Sequence, residues 1–240
     1  MRGSALNGIV KKYQHIFFDL DHTLWDYEAN AAQALQELYD QYRLGKKGMF
    51  SHAELVQTFF DVNDILWDDY NHHRIQRKDI RERRFPTIFK RLGLAIEDRP
   101  DHIEEEYVAL APTKEKMFPD AYEVLEYLSE SYELHIITNG FNDIQGIKMA
   151  SAGIDHFFDV IITSETAGYR KPDPRIFQLA MDKADTKAAE SLMIGDNLAA
   201  DIGGERNFGI DQVFFNPKQV SHTQQVTYEI RGLRELKNLL

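Results

Sequence analysis

The sequence of 240 residues contains no cysteine. Disulfide bonds, zinc–thiolate sites and thiol nucleophiles are therefore excluded, and any catalysis must use oxygen and nitrogen side chains. Basic residues are fewer than acidic residues. The sequence has 28 Lys and Arg and 39 Asp and Glu, which gives a net charge of −11. This balance argues against a nucleic acid polymer as partner, since counterion release at DNA or RNA needs a cationic surface. A small phosphorylated ligand is still allowed, because one local cationic pocket suffices to bind it.

Long apolar segments are absent as well. No run of the sequence approaches the ~20 apolar residues that a bilayer span needs, and residues 1–12 lack the hydrophobic segment of a secretion signal. We therefore expect a cytoplasmic protein without membrane contact. At roughly 150 residues per domain, the length predicts one or two domains. The first ten residues are expected to be frayed.

Short apolar segments bounded by turn residues alternate with helical patterns along most of the chain. Such alternation favours an α/β fold with a doubly wound parallel sheet. The predicted strands are residues 13–20, 134–138, 160–163, 191–195 and 212–215. Helices are predicted after Pro119 and over residues 174–184, 197–206 and 228–240.

Residues 27–116 interrupt this alternation, because they contain no convincing strand. Apolar residues recur there at helical spacing, which predicts two helices. The two sets are Ala31, Leu35, Leu38 and Tyr42, and Leu55, Phe59, Val62 and Leu66. Pro86 is expected to interrupt a third helix over residues 80–92. We therefore predict an all-helical domain over residues 27–116, inserted into an α/β core of residues 13–26 and 117–240.

A cationic segment lies within the predicted helical domain. Residues 74–91 carry eight Lys or Arg and two Asp or Glu, a local charge of +6. One interpretation is a solvated helix face. The other is a cationic patch that lies over an anionic substrate.

The first predicted strand ends in Asp19-Leu20-Asp21. Side chains two residues apart in an extended segment point to the same side, so both carboxylates can converge in the crevice at the end of the strand. Two carboxylates at that position suit a metal ion. The alternative is that one of them caps a turn or a helix.

Polar segments also follow three further predicted strands. They are Thr138-Asn139-Gly140, the segment containing Lys171, and Gly195-Asp196-Asn197 through Asp201. A hydroxyl beside a glycine turn can donate to phosphoryl oxygens, a lysine supplies positive charge, and Asp196 adds a third acidic oxygen for Mg²⁺. Each segment alone has a structural explanation. Together, at four strand ends of one sheet, they predict a site for a phosphate and a metal ion.

These segments resemble the four motifs of the haloacid-dehalogenase-like phosphohydrolase superfamily, and the match covers nearly the whole chain. In that superfamily a helical cap follows the first motif, where this chain has residues 27–116. Three further segments resemble the bacterial house-cleaning pyrimidine nucleotidases, although many members have Gly where this chain has His22. They are Leu66-Trp67-x-Asp69-Tyr70, Arg84-Phe85 and Ile137-Thr138-Asn139-Gly140-Phe141.

The resemblance implies a mechanism through an aspartyl-phosphate. Asp19 would be the nucleophile. Asp21 would protonate the leaving oxygen and later take a proton from water, and its role as an acid would need a raised pKa. Mg²⁺ would be held by Asp19, Asp196 and the backbone carbonyl of Asp21.

The resemblance also assigns supporting roles. Thr138, Asn139 and Lys171 would bind the phosphoryl oxygens. Asp201 would support Lys171 or a metal-bound water without touching the substrate, with Asn197 beside it. The peptide bond between Lys171 and Pro172 is expected to be cis.

The cap would close over the leaving group and select the substrate. Aromatic side chains that could stack on a base are Trp67, Tyr70, Phe85 and Phe141. The alternative for Trp67 and Phe85 is that they pack inside the cap. Trp25 is expected to face the crevice. His72 and His73 have no partner at metal-ligand spacing and are expected at the surface.

The resulting hypothesis is a Mg²⁺-dependent phosphomonoesterase that acts on a small phosphorylated substrate as a monomer or homodimer. The resemblance favours a pyrimidine 5′-nucleotidase. A sugar-phosphate phosphatase or a phosphomutase of the same fold is the main alternative. A haloacid dehalogenase fits less well, because displacement at carbon needs neither the acid Asp21 nor Mg²⁺. A phospho-accepting receiver module would carry its phosphorylated Asp after the third strand, where this chain has Thr163.

Overall fold

The computed structural model describes residues 12–203 and 208–240. Its six strands are β1 (His15–Phe18), β2 (Glu133–Thr138), β3 (Phe158–Thr163), β4 (Ser191–Gly195), β5 (Asp211–Phe215) and β6 (Tyr228–Ile230). They form one sheet in the order β3-β2-β1-β4-β5-β6, and every neighbouring pair is parallel. The predicted doubly wound parallel sheet is confirmed.

A group of helices follows β1 in the sequence. They are α1 (Tyr27–Gln41), α2 (Leu44–Gly48), α3 (His52–Asn71), α4 (Arg77–Arg91) and α5 (Ile103–Leu110). These helices, here called the helical insertion, share a hydrophobic core to which Leu35, Phe59 and Phe85 contribute. The Asp26 side chain caps α1 by accepting a hydrogen bond from the Ala29 N–H, and Ser51 caps α3 in the same way.

The remaining helices flank the sheet. They are α6 (Ala121–Ser129), α7 (Asn142–Ser151), α8 (Ser164–Ala167), α9 (Pro174–Lys183) and α10 (Leu236–Leu239). The helix predicted over residues 197–206 is a π-helical turn over Leu198–Ile202. Residues 204–206, like the first ten residues, lie outside the described part of the chain. No helix of the described residues is both long enough and apolar enough to cross a membrane.

Both faces of β1 are buried, which places this strand at the centre of the sheet. Ile16 and Phe18 point to one face and share a hydrophobic cluster with Leu125 of α6. Phe17 points to the other face and shares a cluster with Phe177 of α9. Because helices cover both faces, the carboxyl ends of the parallel strands are the open edge of the core.

The prediction of a helix over residues 228–240 is wrong for the first part of this range. Residues Tyr228–Ile230 form β6, which pairs with β5, and only Leu236–Leu239 form an α-helix. The Ile230 carbonyl accepts a hydrogen bond from the Asn216 N–H at 2.8 Å, and the Ile230 side chain is buried. Pairing with the edge of the sheet therefore outweighs the helical pattern of this segment.

The interruption predicted at Pro86 is also wrong, because α4 continues through it. Proline has no N–H to donate to the carbonyl of Glu82, one turn earlier. Both residues are exposed, so water can bind that carbonyl. The neighbouring side chains of Phe85 and Phe89 are buried, and their packing stabilises the helix.

Two histidines meet near the amino-terminal edge of the sheet. His15 Nδ1 lies 3.1 Å from His135 Nε2, and the rings are nearly parallel, with centroids 5.4 Å apart. The distance between the ring centroids exceeds the N···N distance by about two ring radii, so the two nitrogens point at each other. This geometry fits a hydrogen bond in which one imidazole donates and the other accepts. A metal ion bound by both would need lone pairs that converge at an angle. Burial, aided by the proximity of His15, lowers the pKa of His135 to about 4.

The low pKa of His135 predicts a loss of stability in mild acid. Between an unfolded pKa of about 6.5 and the folded value, the unfolded chain binds the additional proton, so the free energy of unfolding falls as the pH falls. Through His135, the wild type should lose about 2 kcal/mol of unfolding free energy between pH 7 and pH 5, and His135→Leu should lack this contribution. Urea denaturation at both pH values measures it. His102→Leu, at an exposed position, should retain the pH dependence of the wild-type unfolding free energy. If His135→Leu also retained the wild-type pH dependence, the prediction would be contradicted.

Candidate active site

The predicted site residues meet at the carboxyl edge of the sheet. Asp19 and Asp21 follow β1, Thr138 ends β2, and Asp196 follows β4. β2 and β4 are the two neighbours of β1, and the strand order reverses between β1 and β4. A reversal of this kind opens a crevice at the carboxyl ends of the strands. The backbone holds Asp19 there, because its N–H donates to the carbonyl of Ile194 at 2.9 Å.

A buried lysine lies between two carboxylates in this crevice. Lys171 Nζ is 2.6 Å from Asp19 Oδ1 and 2.6 Å from Asp201 Oδ1. All three side chains are at least nine-tenths buried. Burial opposes the charge of Lys171, but Asp19 and Asp201 outweigh it and raise the pKa of the ammonium group. Asp201 is fixed in turn, because its Oδ2 accepts a hydrogen bond from the Asn197 N–H at 2.9 Å.

Asp196 adds a third carboxylate to this cluster. Oxygen atoms of Asp19, Asp196 and Asp201 all lie within 4.8 Å of one another. Burial raises the pKa of Asp19 to about 7 and that of Asp196 well above its ordinary value, and repulsion among the carboxylates adds to both shifts. Lys171 alone does not balance three acids. Clustered carboxylate oxygens are the ligands that hard divalent cations prefer, so the residues fit a divalent metal ion.

Two glycines permit this close packing. A Cβ at Gly195 would lie 2.4 Å from Asp201 Oδ2, and a Cβ at Gly140 would lie 1.9 Å from Gln145 Nε2. Any side chain at either position would displace a group that contacts the crevice. His22 has a φ of 64°, in the left-handed region that favours glycine. Its ring packs against Tyr27 and lines the crevice.

Asn139 joins three parts of the site through its side chain. Its Oδ1 accepts from the Lys171 N–H at 2.7 Å, and its Nδ2 donates to the Lys171 carbonyl at 3.0 Å. The same Nδ2 donates to Asn71 Oδ1 of α3 at 3.3 Å. The segment that carries Lys171 is thereby fixed to the end of β2 and to the helical insertion. The Lys171–Pro172 peptide bond is cis, as expected.

Asp21 contacts two residues that the sequence analysis did not identify. Lys148 Nζ lies 2.5 Å from Asp21 Oδ1, and Gln145 Nε2 donates to Asp21 Oδ2 at 2.9 Å and to Thr138 Oγ1 at 2.8 Å. Burial raises the pKa of Asp21, but Lys148 and Gln145 outweigh it, so the pKa lies below its ordinary value. The raised pKa expected for Asp21 is therefore not found. The available signal was a pair of polar residues one helical turn apart on the buried side of α7.

A cavity of about 380 Å³ joins the crevice to the helical insertion. From α3 it is lined by residues that recur at helical spacing and are mostly polar. They are Asn63, Asp64, Trp67, Asp68 and Asn71. One helix therefore supplies most of the wall opposite the carboxylates.

The predicted aromatic residues differ in position. Trp67 and Phe141 line the cavity and stack, with centroids 5.3 Å apart. Tyr70 is buried behind them, edge-on to both rings. Phe85 packs in the core of the helical insertion. Trp25, expected to face the crevice, is only 1% exposed, because its ring packs in the core and its Nε1 donates to the Lys114 carbonyl.

The cationic segment does not form a patch over the crevice. No residue from 74 to 91 lines the cavity of about 380 Å³. Arg84 is buried and pairs with Glu104, whereas Arg77 pairs with Asp143 and Glu165 of the core. Six of the eight basic residues of the segment pair with carboxylates, and they are Arg74, Arg77, Lys78, Arg81, Arg83 and Arg84. His72 and His73 are exposed, as expected.

The sequence model of the haloacid dehalogenase-like hydrolases matches residues 13–209. The chain therefore belongs to the haloacid dehalogenase-like hydrolases and is an enzyme of that family. This membership removes the receiver module from the alternatives.

Several known proteins are similar over most of the chain. Pyrimidine 5′-nucleotidase PynA of Streptococcus pneumoniae is 31% identical over 232 residues, which cover 95% of each chain. Glyceraldehyde 3-phosphate phosphatase of Pyrococcus abyssi is 32% identical over 207 residues, 83% of this chain and 80% of the relative. A structure of the Bacillus subtilis HAD-hydrolase YfnB, bound to magnesium, has a TM-score of 0.84 at 27% identity and covers 95% of this chain and 99% of that one.

The position of Lys171 predicts a large effect on stability. Lys171→Met would leave Asp19 and Asp201 buried without a cation, and we expect a loss of about 3 kcal/mol or more of unfolding free energy. Urea denaturation in the presence of a chelator measures it. Lys218→Met removes an exposed lysine that pairs with Glu28 and should cost less than about 1 kcal/mol. Similar losses in the two variants would show that the buried charges are not coupled in this way.

Proposed function

We propose that the protein is a Mg²⁺-dependent phosphomonoesterase that forms an aspartyl-phosphate on Asp19, and that its substrates are pyrimidine nucleoside 5′-monophosphates. The observation that carries the proposal is the convergence of Asp19, Asp21, Lys171 and Asp196 on one cavity. Family membership supports hydrolysis, and the nucleotidase relative supports the substrate.

The first half of the reaction forms a bond from Asp19 to phosphorus. An Asp19 oxygen attacks phosphorus in line with the ester oxygen, and the ester P–O bond breaks. The negative charge of the bound phosphate raises the pKa that Lys148 and Gln145 lower in the free site, so Asp21 takes up a proton there. It gives this proton to the ester oxygen, and the leaving group departs as a neutral alcohol. Thr138, the Asn139 N–H and Lys171 bind the other phosphoryl oxygens.

The second half returns Asp19 to its free form. Asp21, now a carboxylate, takes a proton from water as the water oxygen attacks phosphorus. The bond between Asp19 and phosphorus breaks, and inorganic phosphate leaves. The same carboxyl group therefore acts as acid and then as base.

Mg²⁺ would be held by Asp19, Asp196 and the backbone carbonyl of Asp21. When bound, it supplies positive charge that offsets the repulsion between the anionic nucleophile and the anionic phosphate. Asp201 contributes indirectly, because it holds the ammonium group of Lys171 beside Asp19.

The helical insertion acts in this proposal as a cap, over residues 27–116, that excludes water from the leaving group. The stacked pair of Trp67 and Phe141 offers an aromatic surface to a nucleobase. Asp64 and Asp68 line the same wall, where they accept hydrogen bonds and repel a second phosphate. These features favour a monophosphate whose leaving group is uncharged.

A sugar-phosphate phosphatase is the second candidate. The polar face of α3 offers hydrogen bonds to sugar hydroxyls as well as to a nucleoside, and the relative from Pyrococcus abyssi is named for a triose phosphate. The proposed chemistry at Asp19 is the same for both substrate classes. The leaving group alone distinguishes them.

The nucleophile is tested by Asp19→Asn. The amide is nearly the same size but a poor nucleophile, so we expect turnover of p-nitrophenyl phosphate with Mg²⁺ to fall by about 10³-fold or more. Circular dichroism should show a folded protein. Asp182→Asn removes an exposed carboxylate from α9 and should retain wild-type activity. Substantial turnover by Asp19→Asn would refute the proposed mechanism.

The substrate is tested with a panel of phosphate esters. We expect kcat/KM to be about tenfold or more higher for uridine and thymidine 5′-monophosphates than for ribose 5-phosphate or glyceraldehyde 3-phosphate, because only the nucleotides can stack on Trp67 and Phe141. Uridine 5′-diphosphate should be a poor substrate because of Asp64 and Asp68. Comparable rates on the sugar phosphates would reject the nucleotidase and favour the second candidate.

A further inference from the structure

Lys148 is a buried cation that the proposed reaction does not use. It lies on α7 and is 6% exposed. Its Nζ is 2.5 Å from Asp21 Oδ1, and it lies over the faces of the Trp25 and Tyr27 rings at 4.5 and 5.7 Å from their centroids. Burial of a lysine is costly unless a charge or a hydrogen bond compensates it. Among the described residues, Asp21 is the carboxylate within ion-pair distance.

Asp21 is held at both of its oxygens. Lys148 contacts Oδ1, and Gln145 donates to Oδ2. Gln145 also donates to Thr138 Oγ1, so the orientation of Asp21 is fixed to the end of β2. A carboxyl group held in this way has little freedom to rotate toward Asp19.

Lys148 also lies on the side of the crevice that faces the helical insertion. It lines the cavity of about 380 Å³ and a smaller one of about 70 Å³ that extends between the core and the helical insertion. Trp67 and Phe141 line both cavities as well. The contact of Lys148 with Asp21 therefore borders the same two cavities as these aromatic residues.

We propose that Lys148 is a positioning residue that holds the carboxyl group of Asp21 where it reaches the leaving oxygen. The inference rests on the proposed role of Asp21 as general acid. Lys148 transfers no proton and touches no reacting atom. Its ammonium group fixes the orientation in which Asp21, once protonated beside the bound phosphate, faces the ester oxygen.

This role predicts an effect that depends on the leaving group. An alkoxide is a poor leaving group and needs the proton of Asp21, whereas p-nitrophenolate is stable enough to leave without it. A misplaced Asp21 should therefore slow hydrolysis of an alkyl phosphate far more than hydrolysis of p-nitrophenyl phosphate. A general loss of structure or of metal would slow both.

The experiment compares Lys148→Met with the wild type on two substrates in the presence of Mg²⁺. The alkyl phosphate is the nucleoside or sugar phosphate that the wild type hydrolyses fastest, and the aryl phosphate is p-nitrophenyl phosphate. We expect kcat on the alkyl phosphate to fall by about 30-fold or more and kcat on the aryl phosphate by less than about threefold. Lys114→Met, which removes another largely buried lysine paired with a carboxylate, is the matched control and should leave the ratio of the two rates unchanged.

Equal losses on both substrates, or no loss on the alkyl phosphate, would overturn the role of Lys148. If Lys148→Met does not fold, Lys148→Gln retains a donor without the charge, and its ratio of rates is judged by the same criterion. Wild-type protein that hydrolyses neither substrate would overturn the proposed function and this inference with it. Active wild type with an unchanged ratio in the variant rejects the inference alone.

Discussion

The site depends on one constraint, which is the burial of several carboxylates around a single ammonium group. Lys171 lies 2.6 Å from both Asp19 and Asp201, and Asp196 adds further negative charge that the lysine does not balance. Isolated charges are costly to bury, so this arrangement is stable only if each group keeps its partners. The glycine at position 195, the hydrogen bond from Asn197 to Asp201 and the paired contacts of Asn139 with Lys171 all serve to keep them in place. The residual negative charge is what makes the crevice suited to a divalent cation.

The parallel sheet brings residues that are far apart in the sequence into one cluster. Asp19 and Asp201 are separated by most of the sequence, yet β1 and β4 are adjacent and end at the same edge. The helical insertion begins just after β1, so α3 can cover the crevice without disturbing the sheet. The core thus supplies the reactive groups, and the insertion supplies the wall against which a leaving group would lie.

The fold and the acidic core of the site were predictable because each depends on short-range signals. Apolar strands ending in polar residues predicted the edge where Asp19, Thr138 and Asp196 meet. Lys148 and Gln145 were missed because a polar residue on a helix is normally exposed, and only the packing of α7 against β1 and β2 brings them to Asp21. That packing also reverses the pKa shift expected for Asp21. Trp25 was misplaced for a similar reason, since a residue next to a motif can still point into the core.

The contact between α4 and the core has a further consequence. Arg77 bridges Asp143 at the start of α7 and Glu165 in α8, and these carboxylates are partly exposed. Partly exposed ion pairs contribute about 1 kcal/mol or less and are screened when electrolyte is added. The contact between α4 and the core is therefore sensitive to ionic strength, whereas the buried charges around Lys171 are shielded from it. Added salt thus weakens the electrostatic attachment of the helical insertion and leaves the acidic cluster of the core intact.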